Sequence, residues 1–113
     1  EDVVVTTPTT FLATANCARF VGAKVAFCDI EPGTFNIDPK QLETVMKTVK
    51  GRKKVVIPVH FAGLPCDMAR IRDLAETHGW LIVEDGCHAL GGKYSRGTDG
   101  NVRVGSCRDA SMT

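Results

Sequence analysis

The feature that most constrains the fold of this chain is an alternation of short β-branched runs with segments of helical periodicity. Apolar runs cover residues 3–5, 24–30, 55–59 and 80–83, and segments with helical spacing separate them. The runs are continuous rather than alternately apolar and polar, which indicates parallel strands covered on both faces. We therefore expect the α/β class, with three α-β-α layers around a mainly parallel sheet.

Capping residues predict where the helices begin and end. Asp38, followed by a proline, and Asp67 are each placed to start a helix. Thr9 or Thr10 is expected to cap the first helix, and Gly51 is expected to end the second.

Composition excludes several classes of function. The 113 residues correspond to about one small domain, and 14 basic against 13 acidic residues favour neither nucleic acid nor a membrane as partner. No apolar stretch is long enough to span a bilayer. The five cysteines form no CxxC pair, which favours a reducing, cytoplasmic location. Because the chain opens on Glu1 instead of methionine, we expect it to be a segment of a longer protein.

Ligands of parallel sheets bind beyond the carboxyl ends of the strands, which points to residues 6–11, 60–63 and 85–88. Asp85 ends an apolar run, and a carboxylate there needs a cation or several donors if it is buried. One interpretation is that Asp85 keeps a heterocyclic nitrogen protonated. The alternative is that Asp85 only caps a turn, which Gly86 would permit.

Three neighbouring side chains have competing interpretations. His88 could bind a ligand oxygen or be a core or boundary histidine, and Phe11 could stack on a flat ring or pack in the core. Cys87 as a nucleophile is disfavoured because adjacent residues usually point apart. The spacings of His60, Cys66, Cys87 and His88 are also not those of metal ligands, so we expect no metal site.

Glycines and charged residues alternate over residues 91–105, which predicts a long polar loop or hairpin. The segment matches neither common phosphate-binding motif, and no helix follows it. A solvated connection is the favoured interpretation.

Together, these segments resemble the DegT/DnrJ/EryC1/StrS sugar aminotransferases. The matching stretches, in chain order, are VTTPTTFLATAN (5–16), GAKV with DI and FNID (22–38), PVHFAGLPCDM (58–68) and VEDGCHALG (83–91). VGSCR (104–108) resembles the branch that makes UDP-4-amino-4,6-dideoxy-N-acetyl-beta-L-altrosamine in pseudaminic acid synthesis.

The resemblance implies the large domain of a fold type I enzyme that uses pyridoxal 5'-phosphate (PLP). Residues 1–113 would be the central segment of this domain. Such an enzyme transfers an amino group from glutamate to a nucleotide-linked 4-keto-6-deoxy sugar, usually as a homodimer. By the same resemblance, Asp85 pairs with the pyridinium nitrogen, His88 lies by the ring hydroxyl and Phe11 stacks on the ring.

The resemblance places the Schiff-base lysine beyond Thr113, and the N-terminal part and the small domain outside the chain as well. Lys93 matches no lysine of the family and is not expected to be catalytic. The segment alone is therefore expected to be inactive. The alternative is a non-catalytic α/β remnant that acts in binding or self-association. An unrelated nucleotide-binding protein is disfavoured because no glycine fingerprint follows the first run.

Overall fold

A computed structural model describes residues 1–113 and contains a four-stranded sheet, three α-helices and a separate hairpin. The sheet strands are β1 (Val3–Thr6), β2 (Lys24–Phe27), β3 (Lys54–Val56) and β4 (Leu81–Ile82). The helices are α1 (Leu12–Phe20), α2 (Pro39–Thr48) and α3 (Met68–His78). The hairpin pairs β5 (Lys93–Ser95) with β6 (Asn101–Arg103), and two 3-10 turns cover Phe61–Gly63 and Gly97–Asp99.

The sheet has the strand order β2-β1-β3-β4, and every neighbouring pair is parallel. Val3 of β1 lies opposite Lys24 on one side and Lys54 on the other. Parallel neighbours require crossover connections, and a helix occupies each one. The predicted α/β class with a parallel sheet is confirmed.

Helices cover the two faces of the sheet unequally. On the face that we call the closed face, α2 and α3 enclose a cluster of 13 buried residues, among them Val5, Leu42 and Ile71. On the opposite face, the open face, α1 covers a cluster of three buried residues, Val4, Ala18 and Ile57. Consecutive strand residues alternate between these two clusters, as the pleat of a strand requires. The three layers are those predicted from the sequence.

Two of the predicted helix starts form as expected, and one does not. The side chain of Asp38 accepts a hydrogen bond from the backbone N–H of Lys40, and that of Asp67 accepts one from Arg70. The prediction that Thr9 or Thr10 caps α1 is wrong, because the N-cap position is Phe11 and no side chain caps it.

The regular strands are shorter than the sequence suggested. The second apolar run leaves the sheet after Phe27, and Ile30 instead forms an antiparallel bridge with Ile37. The third and fourth runs continue beyond their regular strands only as single parallel bridges, Val59 with Asp85 and Val83 with Met112.

Gly51 does not end α2, whose last residue is Thr48. A Cβ at Gly51 would lie 2.7 Å from Cγ1 of Val3. The glycine is therefore needed because the chain passes close to β1.

Residues 91–105, predicted to be a polar loop or hairpin, contain the hairpin of β5 and β6, and part of it is buried instead of solvated. Val102 is buried, and the Tyr94 hydroxyl donates to Asp109 Oδ2 at 3.0 Å. Asp109 Oδ1 also pairs with Arg72 of α3 (3.2 Å) and Arg96 (3.1 Å). These contacts fix the hairpin to α3. The three α-helices are all too short to cross a membrane.

Candidate functional site

The first and third of the predicted ligand-facing segments meet at one cavity of about 320 Å³ at the carboxyl end of the sheet. Phe11, Asp85 and His88 all line it. The remaining lining residues are Thr10, Ala13, Thr14, Val59 and Cys87. The middle segment, residues 60–63, does not line this cavity, and the side chain of His60 bonds Glu84 instead.

The carboxylate of Asp85 is held by two donors. The hydroxyl of Thr14 donates to Oδ2 at 2.8 Å, and the backbone N–H of Cys87 donates to Oδ1 at 3.2 Å. Burial raises the pKa of Asp85, but the hydrogen bonds from Cys87 and Thr14 outweigh it and leave the pKa below its ordinary value. Asp85 is therefore an anion that both caps a turn and faces the cavity, so the two interpretations of this residue are compatible.

The pleat of the strand explains why Asp85 faces the cavity whereas Glu84 does not. Ile82 belongs to the closed-face cluster and Val83 packs on the open-face cluster, so Glu84 and Asp85 continue the alternation. Asp85 thus reaches Thr14 of α1 on the open face. Glu84 points to the other side and is 4% exposed.

Glu84 and His60 form a buried pair beneath the site. His60 Nδ1 accepts the backbone N–H of Cys66 at 2.9 Å, which places the ring proton on Nε2, 2.8 Å from Glu84 Oε1. Glu84 Oε2 accepts from the hydroxyl of Thr113 (2.8 Å) and the N–H of Gly105 (3.2 Å). This network connects the loop after β3, the end of β4 and the C-terminal residues.

Phe11 and His88 lie at the surface of the cavity and not in the core. Phe11 is 74% exposed although it is a large apolar side chain, and His88 is exposed as well. Within these 113 residues, neither side chain packs in the core. The His88 ring meets Phe61 edge-on, with centroids 6.3 Å apart, and Phe61 in turn contacts Phe35.

The other candidates have structural roles or unfavourable surroundings. The carboxylate of Asp85 raises the pKa of the Cys87 thiol by hydrogen bonding and by its charge, which disfavours the nucleophilic thiolate. Burial raises the pKa of Cys66 to about 12, so this residue is a neutral thiol inside the core. Lys93 is exposed on β5 and does not line the cavity.

Sequence reasoning missed Thr14 and Glu84. Thr14 could have been found from helical spacing, because it lies three residues after Phe11 and therefore on a neighbouring part of the same helix face. Glu84 had a signal too, since alternation along a strand ending in Glu84-Asp85 places one carboxylate on each face.

The cavity suits a flat, cationic heterocycle. It offers an anionic acceptor in Asp85, whose oxygens retain lone pairs beyond the two that Thr14 and Cys87 occupy. It also offers the exposed ring of Phe11. A volume of about 320 Å³ falls at the lower end of the range of roughly 300–1,000 Å³ for ligand pockets.

The chain is therefore an α/β protein whose parallel sheet has a cavity beyond its strand ends, the position at which such sheets bind ligands. The model of the DegT/DnrJ/EryC1/StrS aminotransferase family matches residues 1–113. The chain belongs to this family, which confirms the resemblance seen in the sequence.

Individual relatives agree with the family. The UDP-4-amino-4,6-dideoxy-N-acetyl-beta-L-altrosamine transaminase of Campylobacter jejuni is 40% identical over 114 residues, covering 99% of this chain and 28% of that protein. The structure of DesV from S. venezuelae aligns with a TM-score of 0.80 and 31% identity over 98% of this chain and 27% of that one. NtdA from Bacillus subtilis, solved with bound cofactor PMP, aligns with a TM-score of 0.73 and 33% identity over 80% of this chain and 20% of that one.

The chain spans about a quarter of the length of the curated relatives that it matches, between 24% and 29%. Family membership and fold follow from the chain itself. The activity of a complete protein does not.

Proposed function

We propose that residues 1–113 are the central segment of the cofactor-binding domain of a PLP-dependent sugar aminotransferase. The complete protein would transfer an amino group from glutamate to a nucleotide-linked 4-keto-6-deoxy sugar. The segment alone would be inactive, because no lysine lines its cavity.

One observation is the main support for this proposal: Asp85 is an anion held in place at the wall of a cavity that also presents an exposed Phe11. Its two donors, Thr14 and the N–H of Cys87, fix the carboxylate before any ligand arrives. A carboxylate with a lowered pKa stabilises a proton on a facing ring nitrogen by charge pairing. When bound, PLP supplies an electron sink at the carbon that carries the amino group.

The other residues would position that ring. Phe11 would pack on one face with its exposed aromatic side chain, and His88 would hydrogen-bond the ring hydroxyl. Phe61 lies edge-on to His88 and limits the orientations of the imidazole. The related NtdA structure, solved with bound PMP, supports a cofactor of this chemistry.

The substrates and the setting are further parts of the proposal. A relative that is named as a transaminase of a UDP-linked amino sugar supports a nucleotide sugar as amino acceptor. Pseudaminic acid synthesis as the pathway is supported by the structural likeness to PseC of Helicobacter pylori, an aminotransferase described as involved in the biosynthesis of that acid. We also propose a homodimer in the cytoplasm. The five free cysteines support a reducing compartment.

The alternative is a non-catalytic remnant that self-associates, and the exposed apolar residues of the open face favour it. Phe20 is 85% and Leu90 99% exposed. The reading frame beyond Thr113 separates the two proposals. An aromatic-Ser-aromatic-His run with a nearby lysine supports the enzyme, whereas a stop codon supports the remnant.

A binding measurement with Asp85→Asn tests the enzyme directly. In the complete protein that contains this chain, we expect the variant to bind PMP at least thirtyfold more weakly, because truncating one partner of a buried charged pair costs about 2 kcal/mol or more. PMP suits this test because it cannot form a covalent bond with a lysine.

The control is Asp29→Asn, which removes an exposed carboxylate away from the cavity and should leave PMP binding unchanged. Equal affinity of Asp85→Asn and the parent would overturn the role of Asp85. Transamination by the isolated 113-residue chain would overturn the claim that the segment is inactive alone.

A further inference from the structure

We infer that Thr14 is a positioning residue for the cofactor, since its hydroxyl fixes the orientation and the charge of the Asp85 carboxylate. This inference rests on the proposed function, because it assigns Thr14 a role in binding the cationic ring. The residue lies in the first turn of α1 and is 7% exposed.

The hydrogen bonds around Thr14 have a single possible direction. Its hydroxyl lies 2.8 Å from Asp85 Oδ2, and an ionised carboxylate only accepts, so Thr14 is the donor. The same hydroxyl lies 2.9 Å from the hydroxyl of Thr10. A hydroxyl has one proton to donate, so Thr10 must donate to Thr14. The result is a chain of two hydrogen bonds that ends on the Asp85 carboxylate.

Thr14 behaves differently from the other helical threonines of the chain that form side-chain hydrogen bonds. Thr44, Thr48 and Thr77 each donate to the backbone carbonyl four residues earlier, at 3.4, 3.0 and 2.8 Å. That is the usual local bond of a threonine inside a helix. Thr14 instead directs its proton across the cavity wall to a residue 71 positions away in sequence.

Loss of the Thr14 hydroxyl destabilises the ionised form of Asp85. Without the hydroxyl, Oδ2 loses its donor and only the N–H of Cys87 remains on the carboxylate. The pKa of Asp85 then rises, because burial continues to oppose ionisation while one stabilising hydrogen bond is gone. A protonated Asp85 cannot pair with a ring cation.

The test measures PMP affinity as a function of pH in the complete protein that contains this chain. Asp85 loses its charge as the pH falls through its pKa, so affinity decreases on the acid side. We expect Thr14→Val, which has nearly the same shape but no hydroxyl, to start this decrease at a higher pH. Well above this pH range, where Asp85 is ionised in both proteins, the two affinities should converge.

Two variants control for a merely structural effect. Thr14→Ser retains the hydroxyl and should restore the parental pH profile. Thr44→Val removes a threonine whose hydroxyl bonds only its own helix, and it should change neither the affinity nor the profile. The titration of PMP itself is common to all variants, so a difference between profiles reports on the protein.

The outcomes separate the two levels of the proposal. If the parent binds PMP and Thr14→Val binds it with the same affinity and the same pH profile, the role of Thr14 is overturned and the proposed function stands. If the parent protein does not bind PMP, the proposed function is overturned and the role of Thr14 falls with it.

Discussion

The two faces of the sheet differ in how completely they are buried, and the candidate site lies on the less buried face. The closed face is enclosed by α2 and α3 over 13 buried residues, whereas α1 covers only three on the open face. Adjacent residues shortly after β4 lie on the two sides: Glu84 enters a buried network with His60, and Asp85 faces the cavity with Thr14. Alternation along a strand thus places a stabilising carboxylate and a candidate ligand-binding carboxylate side by side in sequence.

The largest difference between the faces is expected for the loss of apolar side chains. Leu42 is fully buried on the closed face, so Leu42→Ala should lower the free energy of unfolding by about 4 kcal/mol through lost burial and a residual cavity. Leu90 is 99% exposed beside the open face, and Leu90→Ala should change stability by less than about 0.5 kcal/mol. Urea denaturation measures both. Similar values for the two variants would show that the faces are equally important for stability.

A smaller loss of stability is expected when the charge of the buried Glu84 carboxylate is removed. Burial raises the pKa of Glu84, but hydrogen bonds from His60, Thr113 and Gly105 reverse the effect and lower it. Its contribution to stability is therefore complete above the ordinary pKa of a glutamate and is lost as the pH falls through the lowered folded-state pKa. Glu84→Gln should cost roughly 3 kcal/mol at neutral pH, because the hydrogen bonds to a charged acceptor are weakened or lost, and progressively less in acid.

The control for this prediction is Glu76→Gln, since Glu76 is an exposed glutamate of α3 that pairs only with Arg72. It should leave the acid part of the stability curve almost unchanged. A parallel loss at every pH in Glu84→Gln would mean that the carboxylate contributes through its shape and not through its charge.

The smallest loss of stability is expected for the loop of Phe61 and Leu64, which Asn36 holds by two hydrogen bonds. Asn36 is buried, accepts the N–H of Phe61 at 2.9 Å and donates to the carbonyl of Leu64 at 3.0 Å. Asn36→Ala leaves both backbone groups without this partner, and we expect a loss of about 2 kcal/mol.

The variant Asn36→Asp retains the acceptor but places a second, buried carboxylate oxygen against the Leu64 carbonyl, so at neutral pH it should be no more stable than Asn36→Ala. Thermal unfolding of the three proteins decides the order. Equal stability of all three would show that the loop does not depend on Asn36.

Local signals were enough to predict most of the fold. The helix starts at Asp38 and Asp67 depend on a side chain and a backbone N–H two or three residues away, so the sequence contains the whole interaction. The predicted cap at Thr9 or Thr10 failed for the opposite reason, since the hydroxyl of Thr10 bonds Thr14 instead of the backbone.

The candidate site could be predicted only in part. The strand-end rule brought Phe11, Asp85 and His88 to one cavity because the carboxyl ends of parallel strands share an edge. The partners of these residues could not be predicted in this way. The bond between Thr14 and Asp85 and the pair of His60 with Glu84 join segments far apart in sequence, and no local pattern specifies such contacts.

The central position of β1 also determines how the chain must fold. Both neighbours of Val3 in the sheet, Lys24 of β2 and Lys54 of β3, belong to strands that follow a helical crossover, so no part of the sheet can form as a local hairpin. A long loop must therefore close before almost any two strands can pair. Folding should accordingly be slower than in a helical protein of the same length. During synthesis, β1 leaves the ribosome before β2 and β3 and cannot pair with them until they have been made.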